Sequence, residues 1–107
     1  MSQAHSPAVV FAALGDDTRW EILQRVGARA ASASALAVEL PVTRQAVARH
    51  LEVLHAAGLV EKERHGRELR YRAIAAALSA AAAELEQIAA GWDRRLERLR
   101  ARAEKED

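Results

Sequence analysis

The chain has no cysteine. That excludes disulfides, thiolate metal sites and thiol redox sensing within it. Long apolar runs are also missing: none approaches the roughly 20 residues of a membrane span. The N-terminus lacks the basic stretch and apolar core of a secretory signal, so a cytoplasmic location is the default expectation. There is no glycine-rich phosphate loop, and no nucleophile can be paired with a base. The four histidines are scattered without metal-ligand spacing. These absences point away from an enzyme and give no reason to expect a metal or cofactor.

What the chain has in excess is alanine, 26 of its 107 residues. Alanine favours helix but fills little core volume, and a chain of this length is one domain with a modest core. A second copy is therefore expected to complete the packing. Net charge is only +1, yet it is unevenly spread. Residues 43–72 carry seven Lys or Arg against four acids, whereas the segments on either side are each slightly acidic. The middle third thus hints at an anionic partner.

Periodicity gives a mostly helical fold with one β-hairpin. Ser6 can cap a first helix opening at Pro7 and closing at Gly15, with Val10, Phe11 and Leu14 on one face. Asp16 can cap a second, closing at Gly27. Ser32 or Ser34 starts a short third helix, which Pro41 stops. Thr43 caps a fourth, Arg44 to Ala57, closed by Gly58. Leu59–Arg64 and Glu68–Arg72 read as strands around His65–Gly66. A last helix runs from Ile74 to Arg102 with a stripe of Leu78, Ala81, Leu85, Ile88, Trp92, Leu96 and Leu99. Asp93, Glu97 and the arginines at 94, 98 and 102 read as a salt-bridged face. Residues 1–6 and 103–107 read as loose ends around a single domain, 7–102, whose segment 74–102 is a dimerisation helix.

The short helix, tight turn and capped longer helix make a helix-turn-helix. In such units the second helix enters the major groove. With Val47, Leu51 and Leu54 facing inward, Gln45 and Arg49 lie opposite, suited to adenine and guanine. Ala48 is small enough for close approach or for a thymine methyl. Thr43 and Arg44 suit a phosphate at the helix start. His50, on the flank, is either a phosphate donor or packed polar structure. Glu52 lies too far along to read bases. Arg64, His65 and Arg67 at the hairpin tip make a wing that could touch phosphates or enter the minor groove. Arg64, Arg70 and Arg72 are otherwise strand-edge charges that discourage aggregation.

The run Phe11-Ala-Ala-Leu-Gly-Asp-Asp-Thr-Arg19, followed by Ile22-Leu23, resembles the opening of ArsR-type winged-helix repressors. Thr43-Arg-Gln-Ala-Val-Ala-Arg-His-Leu51, then Leu54 and Ala57-Gly-Leu-Val60, is similar to that family's recognition helix and first wing strand. Gly66-Arg67 and Tyr71 match the returning strand. The resemblance spans about residues 8–73. Asp17 stands where proline is usual, and Gly15 where serine is usual. It implies a homodimeric repressor on a palindromic operator of double-stranded DNA. No cysteine pair lies near the third helix and no histidine lies on the last, so the resemblance is to the non-metal branch, released by a small-molecule or protein effector that the sequence does not name. The first and last helices are expected to form the dimer interface, through Phe11, Leu85, Ile88, Trp92, Leu96 and Leu99. The rival reading is a winged-helix module that binds protein, antitoxin-like or an anti-activator.

Overall fold

A computed structural model describes residues 6–105. Five helices and a hairpin follow in order: α1 Pro7–Leu14, α2 Asp17–Ala28, α3 Ala33–Glu39, α4 Arg44–Ala56, β1 Val60–His65, β2 Glu68–Ala73 and α5 Ala75–Lys105. Each of the first four helices opens on a side-chain cap. Ser6, Asp16, Ser32 and Thr43 accept from the backbone N–H three residues on, that is from Val9, Arg19, Ala35 and Ala46. Such a cap contributes about 1 kcal/mol by satisfying one orphan donor of the first turn. Of the two candidates for α3, Ser32 is the one used.

The helix ends follow turn chemistry. α3 stops at Glu39, with Leu40 as its cap just before Pro41. Gly58 takes φ +77°, which lets the Leu59 N–H reach back to the Leu54 carbonyl at 3.0 Å. This left-handed exit turns the chain from α4 straight into β1. Two ends differ from the sequence expectation. α2 runs through Gly27 to Ala28, since a glycine weakens a helix without ending it. The hairpin turn is Gly66-Arg67, not His65–Gly66, because His65 pairs with Glu68. Gly66, at φ +63°, supplies the backbone conformation that this two-residue turn needs.

Ile22, Val26, Leu36, Val47, Leu51, Leu54, Leu59 and Val60 are fully buried and form the core where α2, α3, α4 and the hairpin meet. Tyr71 of β2 joins them, and its backbone exchanges two hydrogen bonds with Ala31 at 3.0 and 2.8 Å. The α2–α3 connection thereby becomes a third rung of the sheet, and the wing is fixed to the helical body.

α5 is different. Its 31 residues make a rod about 46 Å long, and Ala81 is its only buried residue among those described. Leu85, Ile88, Trp92, Leu96 and Leu99 are each 52–55% exposed. Phe11 and Leu14 of α1, Trp20 and Leu23 of α2, and Leu78 and Leu85 of α5 line an apolar groove of about 350 Å³. The expected pairing of Asp93 and Glu97 with Arg94, Arg98 and Arg102 is not found among the described residues: Glu97 pairs instead with Arg100 at 3.6 Å, and Arg95 lies 4.8 Å over the Trp92 ring. The tail expected at 103–107 is helical as far as Lys105, and the loose terminus expected at 1–6 lies, except for Ser6, outside the described residues. No helix among the described residues is long and apolar enough to cross a membrane.

Candidate nucleic-acid interface

The outer face of α4 is presented by its buried face. Val47, Leu51 and Leu54 have no exposure at all, so helical geometry turns Gln45 and Arg49 to solvent. Both are exposed, and among the described residues neither has a hydrogen-bond or ion-pair partner. Two flexible polar side chains with free donors, held over a rigid helix, are available to a ligand. Thr43 Oγ1 accepts from the Ala46 N–H at 3.1 Å, and its O–H remains to donate outward.

Arg44 is held in place. Its Nε donates to Ser34 Oγ at 2.9 Å, and this leaves the terminal nitrogens of the guanidinium free. Arg44 lines an open cleft of about 440 Å³ together with Ser34, Ala48, Arg67 and Tyr71. Ala48 is half-buried there, and helical geometry sets it between Arg44 and Gln45. One wall of the cleft is thus the helix and the other is the wing tip, with an arginine on each.

Glu52 is the hinge pin between those walls. Its Oε2 accepts from the Tyr71 hydroxyl at 3.1 Å and faces the Lys62 ammonium at 3.0 Å. The Lys62 hydrogen bond first, and that of Tyr71 after it, lower its pKa from the ordinary 4.5. Burial first, and Glu52 second, raise that of Tyr71. Glu52 is therefore engaged in fixing the wing to α4. The sequence marks Glu52 only as a poor base reader, and nothing in its local spacing points to Tyr71, 19 residues away.

Along the wing, charges divide into two groups. Arg70 pairs with Glu68 at 2.6 Å and Arg72 with Glu63 at 2.9 Å, which matches the strand-edge reading of these two. His65 Nε2 lies 3.1 Å from the same Glu63 oxygen. The hydrogen bond from Arg72, and then that from His65, lower the pKa of Glu63. Arg64 and Arg67 are exposed and have no partner among the described residues, so these two are the wing's free cations.

His50 is half-buried, and its Nδ1 lies 3.4 Å from Arg19 NH1. The sequence signals neither the Arg19 contact nor the Ser34 contact to Arg44, because both join distant segments. Among the described residues no group of three His, Asp or Glu side chains could hold a metal.

A family model described as a helix-turn-helix domain matches residues 14–63. The HTH-type transcriptional regulator Rv2034 of Mycobacterium tuberculosis is 35% identical over 90% of this chain and 87% of its own. The ArsR-like transcriptional regulator of Rhodococcus sp. RHA1 superposes with a TM-score of 0.78 at 57% identity, covering 87% of this chain and 88% of that one. The homodimeric winged helix-turn-helix DNA-binding domain of Mb0332 from Mycobacterium bovis superposes with a TM-score of 0.65 at 27% identity, over 78% of this chain and 77% of that one. With this order of elements, this capped recognition helix and these relatives, the chain belongs to the ArsR family of winged helix-turn-helix transcriptional regulators.

Proposed function

We propose that the chain is a homodimeric repressor that reads a palindromic operator in double-stranded DNA. The observation that carries this reading is a set of donors without partners among the described residues: Gln45 and Arg49 on α4, Arg64 and Arg67 on the wing, and the terminal nitrogens of Arg44, which shares a cleft with Arg67. In this reading Gln45 and Arg49 enter the major groove and read base edges. Arg44 and Arg67 hold one phosphate backbone between helix and wing. Thr43 and Arg64 contribute further phosphate contacts.

A second copy completes the molecule through α1 and α5. The half-exposed stripe Leu85–Leu99 and the groove beside Phe11 support this, as does the homodimeric state of the Mb0332 domain. Two-fold symmetry then places two recognition helices on successive major grooves, with half-sites about 10–10.5 base pairs apart or slightly more. In this reading the bound dimer occludes the promoter. An effector would act by changing the spacing of the two recognition helices.

Fluorescence anisotropy of the purified protein on DNA from its own upstream region, against a scrambled duplex at two salt concentrations, tests this. Tight binding to the native duplex that falls steeply with salt is expected. Equal and weak binding to both duplexes would contradict it.

A further inference from the structure

Arg19 sits at a junction that neither the sequence motif nor the groove-reading face explains. Its side chain is only 19% exposed. Nε donates to the Ala13 carbonyl at 2.6 Å and NH2 to the Ala12 carbonyl at 3.4 Å. Both carbonyls belong to the last turn of α1, where the helix dipole favours a cation; that of Ala12 also accepts from the Gly15 N–H at 3.2 Å. Asp16, which caps α2, adds a carboxylate oxygen 4.0 Å from NH1. The planar guanidinium is thereby fixed from two sides. NH1, besides facing Asp16, is directed at His50 Nδ1, 3.4 Å away on α4.

A guanidinium has five donors and no acceptor. The contact is satisfied only when Nδ1 carries the lone pair, and the proton of the neutral ring then resides on Nε2. Nε2 lies across the ring from Arg19 and has no partner among the described residues. Its position on α4 gives that N–H a use. Measured round the helix from Gln45, Arg44 lies about 100° to one side and His50 about 140° to the other. A helix in the major groove presents its two flanks to the two phosphate backbones that bound the groove.

We propose that Arg19 is a positioning residue for DNA contact: it holds His50 as the Nε2–H tautomer, and His50 donates that proton to a backbone phosphate on the groove wall opposite Arg44. This rests on the reading that α4 enters a DNA groove. It gives His50 a role of its own, and it ties the end of α1 to the recognition helix through a single side chain.

The test compares His50→Gln, whose amide nitrogen falls near the Nε2 position, with His50→Asn, whose amide nitrogen falls near Nδ1. Both are measured by anisotropy on operator DNA. His50→Gln should bind within about threefold of the wild type, and His50→Asn about tenfold more weakly, the worth of one hydrogen bond to a charged group. Because the donor is neutral, neither should change the salt slope. Nitrogen-15 NMR of the free wild-type protein at about pH 8, where an ordinary imidazole is neutral, should show His50 protonated at Nε2, and Arg19→Met should shift it toward a mixed tautomer. If Arg19→Met does not fold, the His50 pair and the wild-type spectrum still decide. An Nδ1–H signature in the wild type, or equal binding by the two His50 variants beside a binding wild type, overturns the proposal alone. A wild type that binds no operator overturns the DNA reading and this proposal with it.

Discussion

Replacing Trp92 and Leu96 together with glutamate should convert the protein to a monomer. These residues lie on a stripe with Leu85, Ile88 and Leu99, each 52–55% exposed in the isolated chain. Burying a Leu-sized side chain completely is worth about 1.5–3 kcal/mol, so the exposed half of each offers about 1 kcal/mol to a partner. Two-fold symmetry removes every side chain twice. The double variant therefore forfeits about 4 kcal/mol, and it also buries four carboxylates or forces the helices apart. At about 1.4 kcal/mol per decade, the dimer dissociation constant rises about a thousandfold or more. The fold of the body should survive, because Ala81 is the only buried residue of α5. Sedimentation equilibrium at micromolar concentration should report one chain mass where the wild type reports two, with circular dichroism changed only by fraying of α5. An unchanged dimer mass across the concentration series would refute the assignment of this stripe.

Further outcomes follow from the interface and from the contacts that hold the wing. Arg49→Ala should cost about 1–3 kcal/mol of operator affinity, and Gln45→Ala should relax preference at one base position per half-site, both readable by competition with single-base operator variants. Arg67→Ala should weaken binding evenly across sequences and lower the salt slope by about 1 per subunit, whereas Arg72→Ala, already paired with Glu63, should leave the slope nearly unchanged. Tyr71→Phe should lower the unfolding free energy in urea by about 1 kcal/mol, since Glu52 keeps Lys62 as a partner. The carboxyl of Glu52 is depressed below 4.5 by Lys62 and then Tyr71, so its stabilising effect is complete above pH 4.5 and is lost as pH falls through the lower folded value. The difference in denaturation midpoint between wild type and Glu52→Gln should therefore be present near neutrality and vanish in acid.

Much of the fold is legible in the sequence because the controlling interactions are local. Caps act over three residues, so Ser6, Asp16 and Thr43 mark their helices. Pro41 and Gly58 mark the ends that bracket the helix-turn-helix. The buried face of α4 has a period, which places Gln45 and Arg49 on the outside. What stays hidden joins segments far apart. On sequence alone His50 is open between two roles; Arg19, 31 residues earlier, lies against its Nδ1 and ties it to the end of α1. Ser34 anchoring Arg44, and Tyr71 with Lys62 anchoring Glu52, are likewise tertiary. The sequence misplaces the hairpin turn by one residue, because a glycine at either central turn position is compatible with the alternation of the flanking strands. Charge alone does not separate Arg70 and Arg72 from Arg64 and Arg67: Arg70 takes its carboxylate from Glu68 on its own strand, and Arg72 reaches Glu63 across the hairpin.

If the proposed function holds, two copies of α4, related by a two-fold axis, read DNA sequence. Selection of binding sites from a randomised duplex library by the purified wild-type protein tests it most directly. Enrichment of an inverted repeat with half-sites about 10–10.5 base pairs apart or slightly more is expected, with a consensus that degrades at one position per half-site when Gln45→Ala is used. Absence of enrichment, or a consensus that Gln45→Ala leaves unchanged, would contradict it.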